Sequence, residues 1–129
     1  MENSTWILFA VGALALWFLF RPQVPKEAVL SPADLRSAKE GQKDLQLIDV
    51  RTAGEFRGGR IAGAKNIPLG DLGGRLGELS KGKPLIVYCH GGNRSAVALG
   101  TLRKNGFTQA KHLAGGITAW QGAGLPLIR

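Results

Sequence analysis

Cysteine and histidine are scarce in this sequence of 129 residues, which holds one Cys and two His. A single cysteine cannot form an internal disulfide, and a lone thiol persists most easily where the cell keeps thiols reduced, which favours the cytosol. One Cys and two His also lack the ligand spacing of a zinc site. The sequence therefore excludes a disulfide-stapled fold, and we predict no metal.

Several binding motifs are also missing. There is no phosphate-binding G-x-x-x-x-G-K-[ST] loop and no dinucleotide-binding G-x-G-x-x-G after a strand, so we predict no cofactor. The 17 Lys and Arg outnumber the 9 Asp and Glu, for a formal net charge of +8, which attracts small anions as readily as larger partners. The basic residues are not interleaved with aromatics along a stripe, so no nucleic-acid partner is predicted.

Length predicts one domain. Once the apolar N-terminal stretch is set aside, about a hundred residues remain, which is the usual size of a compact domain. Such a domain hides roughly two thirds of its unfolded surface, enough for stability without disulfides or a structural metal. We predict one domain over residues 28–129, preceded by a linker over residues 22–27.

The chain begins with an uninterrupted apolar run, in which every residue from Trp6 to Phe20 is apolar or Gly. We predict that residues 1–21 form a transmembrane helix, with residues 5–21 in contact with membrane lipid. At 1.5 Å per residue, the stretch from Thr5 to Phe20 spans about 24 Å, a little less than the roughly 30 Å hydrocarbon core. A cleaved secretory signal and a buried core helix are the alternatives.

Charged residues around this run indicate its orientation. Arg21 and Lys26 follow the run, whereas only Glu2 precedes it. By the positive-inside rule we expect a single-pass protein of the inner, cytoplasmic membrane whose domain faces the cytoplasm. The absence of Lys or Arg before the run disfavours a secretory signal, and the absence of a polar face disfavours a core helix.

Strand-type and helix-type segments alternate along the rest of the chain. Predicted strands lie at residues 28–30, 45–50, 64–67, 84–89 and 110–113. Predicted helices lie at residues 32–40, 71–79, 96–105 and 117–121, the first with Ser31 as its N-cap and Pro32 at its first position. This alternation predicts an α/β fold with a mostly parallel sheet.

The loop from Cys89 to Ser95 joins the most apolar strand to the next helix, which is where open α/β sheets place their ligands. Gly91 and Gly92 let the backbone curl so that successive N–H groups point inward and form a cradle for an anion. A helix that begins near Arg94 directs its positive end to the same point. We therefore predict that the thiol of Cys89 is a nucleophile whose pKa lies below the ordinary value of about 8.5.

Each residue of this loop has a structural alternative. Cys89 resembles a small buried hydrophobe at the end of an apolar strand, but that interpretation does not explain the glycines, the arginine and the helix start that follow it. His90 is either a solvated loop residue or a substrate contact. Arg94 either pairs with a carboxylate or, as its place beside the cradle favours, contacts an anion.

Further polar residues outside the loop are predicted to be structural. Asp49 and Arg51 follow the second strand and are expected to hydrogen-bond loop backbone, while Arg51 and Glu55 have the i,i+4 spacing of an ion pair on a helical turn. His112 lies alone in a predicted strand, where we expect it to pack.

Four segments resemble signatures of the rhodanese family, in the expected order, and together cover nearly everything from residue 28 to residue 129. They are Leu47-Ile48-Asp49-Val50-Arg51 with Glu55-Phe56, the segment Gly59 to Pro68, the loop Cys89-His90-Gly91-Gly92-Asn93-Arg94-Ser95, and Leu113-Ala114-Gly115-Gly116-Ile117 with Ala119-Trp120. The third is similar to the family's active loop, C-x-x-G-x-R-S. One departure is Arg60, where the family usually has His.

This resemblance implies a five-stranded parallel sheet with helices on both faces, here preceded by the transmembrane helix, as in small bacterial inner-membrane rhodaneses. It implies a sulfurtransferase, in which Cys89 takes a sulfane sulfur from a small anionic donor such as thiosulfate, or from a persulfide, and passes it to cyanide, a thiol or a protein acceptor. Cys89 is then the catalytic residue, and the substrate-binding residues are His90, Gly91, Gly92, Asn93, Arg94 and Ser95.

Two other functions remain open. Small phosphatases and arsenate reductases of related fold place a Cys-x5-Arg loop at the same position, and a non-catalytic module would tether a partner at the membrane. Only four residues separate Cys89 from Arg94, which favours sulfur transfer because a phosphoryl group needs a wider ring of N–H donors. A thiol inside an anion cradle argues against the binding module.

Overall fold

The computed structural model describes residues 2–20 and 24–129, within which strands and helices alternate. The strands are β1 (Val29–Leu30), β2 (Gln46–Asp49), β3 (Lys65–Asn66), β4 (Leu85–Tyr88) and β5 (Lys111–Leu113). The α-helices are α1 (Glu2–Phe20), α2 (Pro32–Gly41), α3 (Ala53–Gly58), α4 (Leu69–Leu72), α5 (Asn93–Lys104) and α6 (Gly116–Gly122). This pattern confirms the predicted α/β class.

The five strands form one sheet in the order β1-β5-β4-β2-β3, and every pair of neighbouring strands is parallel. Strand β4 lies at the centre, and all four of its residues are buried. Parallel strands buried on both faces are near-continuous apolar runs in sequence, which explains why β4 was the most apolar of the predicted strands. The predicted five-stranded parallel sheet is confirmed.

Side chains of β4 alternate between two hydrophobic clusters, one on each face of the sheet. Leu85 and Val87 pack on the face that α4 and α5 cover, and Ile86 and Tyr88 pack on the face that α2 and α6 cover. Helices therefore lie on both faces, as the family resemblance implied, and the carboxyl end of β4 emerges between the two layers.

Capping residues account for where two of the helices begin. Ser31 caps α2, its hydroxyl accepting from the N–H of Asp34 while the Asp34 carboxylate accepts from the N–H of Ser31, so the predicted N-cap is confirmed. Thr52 and Glu55 form the same reciprocal pair at the start of α3. Helix α3 was not predicted, although the T-x-x-E spacing is a capping signature.

Two other predicted helices have different bounds. The helix predicted at residues 71–79 is instead the short α4 followed by a 3-10 turn at Leu76–Glu78, because Gly73 and Gly74 interrupt it. The helix predicted at residues 96–105 begins three residues earlier, at Asn93, which brings its first turn into the predicted active loop.

The predicted N-terminal helix forms as α1, but the prediction that it crosses a membrane is not supported. Within the described residues, no helix is both long enough and apolar enough to span a bilayer. Helix α1 begins with four polar residues, Glu2 to Thr5, so its apolar part from Trp6 to Phe20 is shorter than the helix. At 1.5 Å per residue, that part spans about 22 Å, against a hydrocarbon core of roughly 30 Å.

Other predictions for this region are not tested. Residues 1 and 21, at the ends of the predicted anchor, and residues 22–23 of the predicted linker lie outside the described residues. The predicted contact of residues 5–21 with membrane lipid stays a prediction. So does the predicted location at the inner membrane with the domain facing the cytoplasm.

The core packing of α5 generates a first test. Leu99 is 1% exposed, whereas Val97 on the same helix is 59% exposed. Leu99→Ala is expected to lower the free energy of unfolding by about 2–5 kcal/mol, because it removes buried methyl groups and leaves a cavity. The control Val97→Ala is expected to change it by less than about 0.5 kcal/mol. Urea unfolding of both variants measures the difference, and equal effects would contradict the described packing.

Candidate active site

Cys89 directly follows β4, and the tight turn after it leads into α5. The residue is 1% exposed, at the carboxyl end of the central strand. Gly92 is the N-cap of α5 and has a φ of 105°, a backbone conformation that residues with a Cβ rarely adopt. A Cβ on Gly92 would also lie 3.2 Å from the backbone nitrogen of Gly115. Glycine at this position therefore lets the turn close around the cysteine.

Backbone N–H groups from the turn and the first turn of α5 point at the sulfur. The N–H of Gly92 donates to Sγ of Cys89 over 3.1 Å, and the N–H of Ser95 donates to it over 3.3 Å. The hydroxyl of Ser95 lies 3.5 Å from the same sulfur. The predicted cradle is therefore present: two backbone amides donate to the sulfur and α5 directs its positive end at it. The Ser95 hydroxyl lies beside them and donates to the carbonyl of Gly92.

These donors set the charge state of the cysteine. Burial acts to raise the pKa of the Cys89 thiol, because it disfavours the charged form. The Ser95 hydroxyl and the N–H groups of Ser95, Gly92 and Arg94 outweigh burial and hold the pKa below its ordinary value. The direction agrees with the sequence-based prediction. This direction favours the thiolate, which is the nucleophilic form of cysteine.

The first turn of α6 binds the backbone of the loop through hydrogen bonds. The N–H of Ile117 donates to the carbonyl of Cys89 over 2.9 Å, and the N–H of Thr118 donates to the carbonyl of His90 over 3.1 Å. Gly116 has a φ of 58°, and a Cβ there would lie 2.5 Å from the carbonyl oxygens of both Cys89 and His90. Only glycine allows this backbone approach.

Arg94 forms a bidentate ion pair with Glu55 of α3. Its Nη1 and Nη2 donate to the two carboxylate oxygens over 2.7 and 3.0 Å. The hydrogen bonds from Arg94 hold the pKa of Glu55 at about 2, well below its ordinary value. The carboxylate pairing of Arg94 is thus present, while its predicted contact with a substrate anion stays a prediction. The alternative pairing of Arg51 with Glu55 is wrong.

Arg51 instead pairs with Asp49. Its guanidinium donates to the Asp49 carboxylate, with the shortest contact at 2.7 Å, and to the carbonyl of Gly59 over 2.6 Å. Both side chains are buried, and the contact with Gly59 agrees with the predicted structural role at loop backbone. Arg60, the departure from the family pattern, places its guanidinium over the ring of Phe56, 4.8 Å from the centroid.

The remaining predicted site residues lie on the outer side of the loop. His90, Gly91 and Asn93 are exposed, and the imidazole Nε2 of His90 lies 3.4 Å from the hydroxyl of Thr118. Solvent exposure makes these residues accessible to a small donor. Their predicted contact with substrate stays a prediction.

Two residues next to the site were not assigned to it from the sequence. Glu55 reaches Arg94 across 39 positions, and His112 of β5 places its Nδ1 3.0 Å from the hydroxyl of Ser95. His112 was expected only to pack in its strand. Its available signal was a polar side chain at a strand position expected to be packed, where a buried polar group requires a partner.

Comparison with known proteins gives the family. A family model described as a rhodanese-like domain matches residues 31–123, and the chain belongs to that family. The chain is 37% identical over 119 residues to the uncharacterised protein YqhL of Bacillus subtilis, covering 92% of this chain and 94% of that protein. It is 35% identical over 86 residues to a protein of Allochromatium vinosum named a sulfurtransferase, covering 67% of this chain and 80% of that one.

Solved structures agree with the family assignment. A rhodanese-related protein from Thermoplasma volcanium superimposes with a TM-score of 0.71 at 32% identity, covering 78% of this chain and 96% of that one. Some curated relatives are longer proteins, and the chain spans 55% of one and 26% of another. Relatives that carry the family domain thus include sulfurtransferases and proteins whose activity is uncharacterised.

The approach of α6 to the loop generates a test with a matched control on the same helix. Gly116→Ala is expected to destabilise the protein by more than about 1–2 kcal/mol, which is the cost of the left-handed backbone alone, and to displace the carbonyls of Cys89 and His90. Gly122→Ala meets no atom within 4 Å and is expected to leave stability unchanged or slightly raised. Thermal unfolding and the rate of Cys89 alkylation measure both effects. A Gly116→Ala variant that matches wild type in both would contradict the described contact.

Proposed function

We propose that this protein is a sulfurtransferase that carries a sulfane sulfur as a persulfide on Cys89. The observation that carries the proposal is the pair of backbone N–H groups, from Gly92 and Ser95, that point at a buried Sγ. Such donors stabilise negative charge on sulfur before and after transfer, so one cradle serves both the thiolate and the persulfide anion. The kinship with proteins named sulfurtransferases supports the same conclusion.

In the first step, the Cys89 thiolate attacks the outer sulfur of a donor such as thiosulfate. A new S–S bond forms to Cys89 while the donor's own S–S bond breaks, and sulfite leaves with the electron pair of that bond. A persulfide donor reacts in the same way and releases its thiolate. The lowered pKa of Cys89 supplies the nucleophile without a separate base.

In the second step, a nucleophilic acceptor such as cyanide or a thiol attacks the outer sulfur of the persulfide. The S–S bond to Cys89 breaks and its electron pair returns to Sγ, so the thiolate held by the cradle is restored. We propose that a protein can also serve as the acceptor, a proposal supported by a relative that is named a putative sulfur carrier protein. We propose that His90, Gly91 and Asn93, which are exposed on the loop, contact the donor and acceptor.

Phosphoryl transfer is the less favoured reaction for two reasons. The loop holds four residues between Cys89 and Arg94, one fewer than in phosphatases of related fold, so its ring of N–H donors is tighter than a tetrahedral phosphoryl group requires. In addition, two nitrogens of the Arg94 guanidinium are engaged by the carboxylate of Glu55. The cradle's size and the pairing of its arginine both fit a single sulfur atom better than a phosphoryl group.

Loading of Cys89 is the first test of this proposal. After incubation with thiosulfate, intact-protein mass spectrometry is expected to show a mass increase of one sulfur atom, which cyanide removes as thiocyanate. Cys89→Ser is expected to lower thiosulfate:cyanide sulfur transfer by roughly 10³-fold or more, because the nucleophile is lost while the side chain stays nearly isosteric. Sulfate in place of thiosulfate is the matched control and adds no sulfur. Turnover retained by Cys89→Ser would exclude the covalent mechanism.

Loop length gives a second test. The wild-type protein is expected to transfer sulfur from a sulfane donor and to show negligible hydrolysis of an aryl phosphate. Insertion of one glycine between Gly92 and Asn93 is expected to weaken sulfur transfer, because it widens the ring of N–H groups around Sγ. Circular dichroism and thermal unfolding verify that the inserted variant folds. Faster turnover of an aryl phosphate than of any sulfane donor by the wild-type protein would replace this proposal with a phosphatase.

A further inference from the structure

The hydroxyl of Ser95 lies at the centre of a small polar cluster beside the sulfur. Its Oγ is 3.1 Å from the carbonyl oxygen of Gly92, 3.0 Å from Nδ1 of His112 and 3.5 Å from Sγ of Cys89. Ser95 is fully buried and His112 is 7% exposed, so water does not compete freely for these groups. A hydroxyl has one hydrogen to donate and two lone pairs to accept with. Three neighbours therefore have to share one donated and two accepted hydrogen bonds.

Counting hydrogens assigns the direction of each bond once Cys89 is a thiolate. The carbonyl of Gly92 accepts the hydrogen of the Ser95 hydroxyl in the thiol state, but it also accepts the N–H of Ala96 and does not require that hydrogen. A thiolate Sγ can only accept, so it takes the hydrogen of the hydroxyl, which leaves the lone pairs of Oγ for His112. An Nδ1 that lacked a hydrogen would then face a lone pair of Oγ with no hydrogen between them, at the cost of an unsatisfied buried group. With Cys89 as a thiolate, the cluster is fully satisfied only when Nδ1 of His112 carries a hydrogen.

We propose that His112 is a positioning residue whose Nδ1–H donates to Ser95, so that the serine hydroxyl keeps its own hydrogen for the sulfur of Cys89. When Cys89 loses its proton, Sγ becomes an acceptor and the hydroxyl turns from Gly92 to the thiolate. The carbonyl of Gly92 stays paired during this turn, because it also accepts the N–H of Ala96 over 3.1 Å. Without the imidazole donor, Oγ would lose the bond that fixes it beside the sulfur.

The surroundings of His112 make the imidazole a neutral donor. Its partners across the sheet are Val29 of β1 and Val87 of β4, which carry no charge. Burial lowers the pKa of His112 below its ordinary value, so the ring is neutral at pH 7 and one tautomer has to be chosen. The hydrogen-bond count around Ser95 selects the Nδ1–H form.

Other charged groups near Cys89 are paired or exposed. On α5 and α3, Arg94 is held by Glu55, and on β2 and the turn after it, Asp49 is held by Arg51. On the loop itself, His90 is exposed. Substitution of His112 leaves all of these groups in place. A resulting change in the titration of Cys89 therefore reports the interaction of His112 with Cys89 through Ser95.

Nuclear magnetic resonance of the unmodified full-length protein tests the tautomer directly. Long-range ¹H–¹⁵N correlation spectra at neutral pH are expected to show the Nδ1–H form of His112, with the signal assigned by its loss in His112→Asn. Dominance of the Nε2–H form would overturn the proposal, because Ser95 would then have to donate to the ring. This measurement needs no sulfur transfer.

The pH dependence of Cys89 alkylation by iodoacetamide tests the consequence. His112→Leu is expected to raise the apparent pKa of alkylation by roughly 0.5–1, because the thiolate loses an organised hydroxyl donor. His112→Asn is the matched control, since its amide N–H₂ can donate to Ser95 without titrating, and its profile is expected to stay near that of wild type. Ser95→Ala is expected to raise the apparent pKa at least as much as His112→Leu.

A double-mutant cycle separates this path from a general packing effect. Because His112 acts through Ser95, adding His112→Leu to Ser95→Ala is expected to change the alkylation profile no further. Additive effects, or an unchanged profile in His112→Leu, would overturn the proposal. The inference rests on the proposed function in that Cys89 reacts as a thiolate. The two fail differently, since a protein without sulfurtransferase activity would still show the tautomer and the alkylation shifts.

Discussion

Backbone N–H groups directed at a buried sulfur are the interaction on which the rest of the site depends. A thiol that is 1% exposed would ordinarily keep its proton, because burial disfavours the charged form. The hydroxyl of Ser95 and the N–H groups of Ser95 and Gly92 oppose burial and hold the pKa of Cys89 below its ordinary value. The first turn of α5 supplies the orientation of these N–H groups. The left-handed conformation of Gly92 and the direct passage from strand to helix are the structural means by which these donors reach one atom. The lowered pKa of Cys89 thus depends on the path of the backbone.

The same constraint explains why two glycines at the start of α6, its N-cap Gly115 and its first residue Gly116, lie against the loop. The carbonyl groups of Cys89 and His90 belong to the same loop and need hydrogen-bond donors of their own. The N–H groups of Ile117 and Thr118 supply them, which requires the two backbones to approach within a distance that any Cβ on Gly116 would prevent. The loop at the centre of the sheet and the closing helix are therefore one structural unit.

Charged side chains near the site are paired, with consequences for its electrostatics. Glu55 both caps α3 and holds Arg94, while Asp49 holds Arg51 in the interior. Since the arginines are engaged by carboxylates, the attraction for a small anion comes mainly from aligned N–H groups and the end of α5. Backbone dipoles are fixed by the fold and do not need to reorganise when charge develops on sulfur, which is the property that favours the reaction.

Local sequence patterns predicted much of the fold and of the candidate site. The apolar runs of the strands, the cap at Ser31 and the glycines beside Cys89 each act within a few neighbouring residues, so the order of elements, the parallel sheet and the cradle were all predictable. Helix α3 carried its signal, the spacing of Thr52 and Glu55, in a short polar stretch that hydrophobic periodicity does not detect. The apolar run of α1 predicted its helix, but its length did not meet what spanning a bilayer requires.

By itself, the sequence determined the fold class, the position of Cys89 after the central strand and the glycines that let the loop close around it, because these depend on local backbone preference and on which faces are apolar. Only the tertiary structure decided the partners of the polar side chains. Arg94 meets Glu55 across 39 positions, and Ser95 meets His112 across 17. Such contacts depend on which strands and helices become neighbours in the fold. The spacing of residues along the chain does not specify that arrangement.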